Sequence, residues 1–138
     1  MVYIVSAKRT PIGSFLGGLS SLSAPQLGSY LLKELVEDPS TLSEVFMGEV
    51  LCAGVGQAPA RQAALGAGFP QSLPCTTINK VCGSGLKAVA MGMEAIKSGN
   101  ADCVVAGGME SMSQAPFIVS KARQGFMMGH QEMKDSMI

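Results

Sequence analysis

Tryptophan is absent from this sequence, histidine occurs once, at His130, and aromatic residues make up only 5%. So few rings leave little for stacking on bases. Charge is scarce too, at 14% of residues against roughly 25% in ordinary soluble domains. The 10 basic and 10 acidic side chains cancel, with no basic patch, which excludes nucleic acid as a partner. Low charge joined to 47% hydrophobic residues excludes intrinsic disorder. No apolar run approaches the roughly 20 residues that span a bilayer, so no membrane is expected. Val2 to Ser6 is apolar, but Lys8 and Arg9 follow it, the reverse of a secretory leader. Acidic residues are missing before Glu34, as in transit peptides, yet Pro11 and the Gly-rich stretch Gly13 to Gly18 make no amphipathic helix. Cys52, Cys75, Cys82 and Cys103 form no CxxC pair, and with one histidine they show no metal-ligand spacing. Neither a metal nor a resident cofactor is expected. Reduced thiols in the cytoplasm are the expectation, with mitochondrial or peroxisomal placement open if the N-terminus is processed.

What is present is a chain of 138 residues with mean hydropathy +0.31. That length buries a sizeable core, but so apolar a chain lacks the polar residues to cover itself. It is expected to be part of something larger, or an obligate oligomer. Val2 to Ser6 reads as a first strand, and Ser23-Ala-Pro-Gln26 is a capping box ahead of Leu27, Leu31, Leu32 and Leu35 at helical spacing. That helix stops near Asp38-Pro39. Val45 to Leu51 reads as a second strand, Ala58 to Leu65 as a helix ended by Gly66 and Gly68, and Thr76 to Asn79 as a brief third strand. Cys82 opens the next helix, with Leu86, Val89, Ala90, Met93 and Ile96 as its buried stripe and Gly99 closing it. Asp102 to Ala106, apolar on both faces, reads as a central strand of a parallel sheet. Strands alternating with helices predict a parallel, doubly wound α/β fold. Beyond Pro116 the periodicity fades.

Chemistry concentrates at Asn79-Lys-Val-Cys82-Gly-Ser-Gly85-Leu-Lys-Ala-Val89. A cysteine in the first turn of a helix faces unpaired N–H groups and the positive end of the helix dipole, which favour a thiolate. The same amides stabilise an oxyanion on an acyl group attached to sulfur. Gly83 and Gly85 clear space for a substrate, and Lys80 and Lys87 add positive potential if they face the site. The alternative is a buried cysteine that only packs.

Residues Ile78 to Val89, with Ile96 beyond, resemble the acyl-enzyme signature of the thiolase family. Val5-Ser-Ala-Lys-Arg-Thr-Pro-Ile-Gly-Ser-Phe15 resembles that family's opening, Gly56-Gln-Ala-Pro-Ala-Arg-Gln62 its second-helix segment, and Ala106-Gly-Gly-Met-Glu-Ser-Met-Ser113 its fourth-strand loop. The forms Asn-Lys-Val-Cys and Gly-Met-Glu-Ser-Met-Ser are most similar to acetyl-CoA acetyltransferases, the short-chain branch. The resemblance implies a fold of two similar halves in α-β-α-β-α layers with a mixed, mostly parallel sheet, of which this chain is the N-terminal half, truncated before its fifth strand. Residues 1–115 would be the incomplete α/β domain and 116–138 the start of a CoA-binding loop domain. The implied reaction joins two acetyl-CoA into acetoacetyl-CoA plus CoA, with Cys82 as the acyl-accepting nucleophile and its N–H as half of an oxyanion hole. Coenzyme A thioesters would be the partners, in a homodimer or homotetramer. Family motifs Asn-Glu-Ala-Phe, Gly-His-Pro and Cys-Gly-Gly-Gly do not occur here, and His130 does not match the catalytic histidine, so the chain alone is expected to be inactive. The alternatives are a fragment of a longer-chain 3-ketoacyl-CoA thiolase and a non-catalytic module that binds a thiolase subunit.

Lesser signals read more plainly. Gly13 to Gly18 lacks a Gly-Lys-Ser/Thr ending and is a surface loop rather than a phosphate loop. Gly107-Gly108 lacks G-x-G-x-x-G and reads as a tight turn by the site. Glu110 is read as a structural carboxylate taking backbone amides, with a general base as the rival. Met91 and Met93 are read as core, Met127, Met128 and Met133 as exposed. Arg61 either meets a partner subunit or solvates a helix face. No further binding residue is assigned.

Overall fold

The computed structural model describes residues 1–138. The capping box closes as its residues dictate: Ser23 N–H donates to Gln26 Oε1 at 2.8 Å, and Gln26 N–H donates to Ser23 Oγ at 3.3 Å. Helix α1 (Ala24–Leu35) follows, ending a few residues before the Pro39–Thr41 turn. Strand β1 (Glu44–Gly48) leads to α2 (Pro59–Gly66) and β2 (Cys75–Ile78). Then come α3 (Ser84–Lys97), stopped by Gly99 at φ +75, and β3 (Val104–Gly108).

These strands form one wholly parallel sheet in the order β2-β1-β3, with Val45 opposite Cys75 and Val105. Alternation along β1 sends Val45 and Met47 into a cluster with Ala24 and Leu32 of α1, Ala60, Ala63 and Ala64 of α2, and Val105 of β3. Phe46 and Gly48 face α3 on the other side. Helices thus cover both faces, as the doubly wound expectation requires. A separate antiparallel pair, β4 (Phe117–Val119) with β5 (Met133–Asp135), lies beyond the parallel sheet.

Five expectations are corrected. Val2 to Ser6 forms no strand; Tyr3, Ile4 and Val5 are exposed and no ladder pairs them. β-Branched composition supplies propensity, but a strand exists only beside another. The sheet's last strand is an edge, pairing β1 alone, and runs Val104–Gly108 rather than Asp102 to Ala106. Apolarity on both sides records helices on both faces, not strands on both edges. β1 stops at Gly48 rather than Leu51 because the amides of Val50 and Leu51 turn to the Glu110 carboxylate, at 2.9 and 3.1 Å. Helix α3 starts at Ser84, so Cys82 lies in the preceding turn.

The fifth concerns what α3 buries. Its sheet-facing row is Ser84, Ala88 and Gly92, while Leu86 is 77% exposed and Val89 and Met93 are 40% exposed. The helix sits too close for large side chains: a Cβ on Gly92 would lie 2.9 Å from Val104 Cγ2. Met93 is therefore not core, whereas Met127, Met128 and Met133 are exposed as read.

Candidate active site

The chain reverses its winding at β1, and in open α/β sheets the crevice outside the strand carboxyl ends at such a point receives ligands. Here the carboxyl ends of β1 and β3 bound an open cavity of about 260 Å³, lined by Gly48, Cys82, Ser84, Gly85, Gly108, Met109 and Glu110. Cys82 is exposed and not disulfide-bonded. A second cavity, about 320 Å³, shares Gly108 to Glu110 and extends under Thr10 to Phe15 and along α1. The Gly13 to Gly18 segment is a surface turn, tied down where Leu16 N–H donates to Ser113 Oγ at 2.9 Å.

Glycines here serve backbone packing. A Cβ on Gly48 would sit 2.5 Å from the Ser84 carbonyl carbon, and one on Gly108 would sit 3.2 Å from Gly85 Cα. Gly107 and Gly108 end β3 rather than forming a tight turn, and Gly85 abuts their backbone. Gly85 lines the cavity, as a residue read to leave room for substrate would, and a Cβ there would meet the Gly108 backbone at 3.6 Å. Lys80 and Lys87 do not line the cavity; Lys87 Nζ lies 3.9 Å from Glu94 instead. Arg61 donates to the Gln71 carbonyl at 2.9 Å.

Glu110 is held as expected, accepting the amides of Val50 and Leu51. Glu49 was not anticipated. It follows β1, is 1% exposed, and neither carboxyl oxygen has a hydrogen-bond partner. Burial, reinforced by the charge of Glu110, pushes its carboxyl up to about 7. No sequence pattern marks it, since Glu44 opens the same strand and stays half-buried. Cys52 donates to the Glu49 carbonyl at 3.7 Å, and burial together with Glu49 and Glu110 raises its thiol. Burial also raises Cys75, against the opposing charge of Arg61. Both are thereby poorer thiolate sources. Cys103 does not line the cavity, and His130 is exposed in the tail.

No group of three or more His, Cys, Asp or Glu side chains is arranged to hold a metal ion. No helix is long and apolar enough to cross a membrane.

The family profile described as "Thiolase, N-terminal domain" matches residues 2–138. An acetyl-CoA acetyltransferase of Schizosaccharomyces pombe is 54% identical over 99% of this chain, and one of Pseudomonas aeruginosa is 51% identical over the same share. The chain spans 36% of the length of each. Among solved structures, the Acat5 thiolase from Ascaris suum in complex with coenzyme A is 44% identical, with a TM-score of 0.93 over 99% of this chain and 36% of that one. A parallel sheet crossed by α3, the Cys82 turn at its switch point and a match running from residue 2 to residue 138 agree: the chain belongs to the thiolase family, as its N-terminal domain.

Proposed function

We propose that this chain carries the acyl-accepting half of a thiolase active site, with Cys82 as nucleophile, in an acetyl-CoA acetyltransferase. The carrying observation is the placement of an exposed Cys82 in the cavity at the sheet's switch point. In the first step the Cys82 sulfur attacks the acetyl-CoA carbonyl. The carbon–sulfur bond to CoA breaks as the bond to Cys82 forms, and the thiol proton ends on the released CoA. The backbone N–H of Cys82, in the turn that leads into α3, stabilises the charge on oxygen. In the second step another acetyl-CoA loses an α-proton, its enolate carbon bonds to the acetyl carbonyl as the carbon–sulfur bond to Cys82 breaks, and the proton ends on the Cys82 sulfur, giving acetoacetyl-CoA and the free thiol. Coenzyme A thioesters are the substrates, and no resident cofactor or metal takes part. The Ascaris suum thiolase, solved with coenzyme A, supports this substrate class. A Gibberella zeae relative, 55% identical and named as cytosolic, supports a cytosolic location.

Cys82→Ser in the full-length protein is expected to abolish acetoacetyl-CoA cleavage by CoA, measured by loss of the enolate absorbance. Retention of wild-type cleavage would contradict the role of Cys82. The 138-residue chain alone is expected to show no turnover, because residues acting as a unit lose activity steeply when separated.

A further inference from the structure

Val81 adopts φ +49, a region that few side-chain-bearing residues enter and where a β-branched one is an outlier. Its side chain is 65% exposed, so burial does not hold it there. Such strain persists only where surrounding bonds over-determine it. Asn79 Oδ1 accepts from Val81 N–H at 3.0 Å. Ser84 Oγ accepts from Lys80 N–H at 2.9 Å and donates to the Val81 carbonyl at 2.6 Å. Gly83 N–H and Ser84 N–H close onto the carbonyls of Lys80 and Val81, both at 3.1 Å. The Cys82 N–H takes part in none of these bonds. Ser84 is itself 5% exposed and wedged against Gly48 of the central strand.

We infer that the Ser84 hydroxyl is a positioning residue for acyl transfer: it clamps the left-handed turn at Val81 and so aims the Cys82 N–H into the cavity. This rests on the reading of Cys82 as acyl acceptor. Alanine at 84 keeps the helix and its packing but releases both sides of the turn. The turn then relaxes, and the Cys82 amide moves off the position where the thioester oxygen gains charge. Removing an oxyanion donor costs about 10²–10³ in rate, and misplacing one costs a share of that.

Two reactions of Cys82 separate this from a structural role. Acetyl transfer builds negative charge on oxygen, whereas alkylation by iodoacetamide displaces iodide at a saturated carbon and builds none. In the full-length protein, Ser84→Ala is expected to slow acetylation of Cys82 by acetyl-CoA about 10–100-fold, with alkylation within about threefold of wild type. Adding Val81→Gly, which removes the strain the clamp opposes, is expected to restore acetylation at least several-fold. Both rates are read by mass spectrometry of the Cys82 peptide. Parallel loss of acetylation and alkylation, or no recovery in the double variant, would overturn the clamp while leaving Cys82 as nucleophile. A wild-type protein that is alkylated but never acetylated would overturn the functional reading and the clamp with it.

Discussion

A carboxyl group 1% exposed and without a hydrogen-bond partner is costly to ionise, and Glu49 keeps its proton up to about 7 against an ordinary 4.5. The folded state therefore binds this proton more tightly than the unfolded state does. Its stabilising contribution is complete below pH 4.5 and is lost as pH rises through 7. Between pH 5 and 8 the unfolding free energy is expected to fall by on the order of 2 kcal/mol from this residue. Glu49→Gln is expected to flatten that slope in urea titrations at successive pH values. An unchanged slope in the variant would show that Glu49 ionises freely. At this scale the sequence is read well where chemistry is local: the Ser23 box and the Glu110 carboxylate do what their side chains dictate. Glu49 escapes such a reading, because its burial comes from chain segments brought together only by the fold.

Among the elements, α3 shows what periodicity conveys and what it does not. Leu86, Val89 and Met93 mark a helix correctly, but the face laid on the sheet is Ser84, Ala88 and Gly92. Hydrophobic spacing identifies surface to be covered, not which neighbour covers it. The approach that Gly48 and Gly92 permit makes the small face the inner one. The first segment fails for a related reason: Val2 to Ser6 has strand composition and no ladder beside it. Gly48→Ala is expected to force the head of α3 off β1, since the added Cβ meets the Ser84 backbone. Overpacking of this kind costs about 1–3 kcal/mol. Thermal unfolding should show a lowered midpoint, accompanied by slower acetylation of Cys82. A variant with unchanged midpoint and acylation would mean that the Gly48–Ser84 contact yields freely.

At the scale of the molecule, exposed area exceeds what mass predicts. A compact protein of 14.2 kDa exposes about 6,800 Å², whereas this chain exposes 9285 Å² and buries 21 of its 138 residues. Tyr3, Ile4, Phe15, Leu86, Phe117 and Phe126 are all exposed. That accords with a chain spanning 36% of its relatives' length, and it gives the scarcity of charge in the sequence a physical cause. Residues 1–138 alone are expected to bind an exposed-hydrophobe dye and to self-associate in light scattering. A monodisperse monomer that binds no dye would count against a covered role for these faces. Whether Cys82 accepts an acyl group is read by brief exposure of the full-length protein to acetyl-CoA, acid quench and peptide mass spectrometry. One acetyl group is expected, on Cys82, and none there in Cys82→Ser. An unmodified Cys82, or acetylation at another cysteine that survives that substitution, would contradict the role of Cys82.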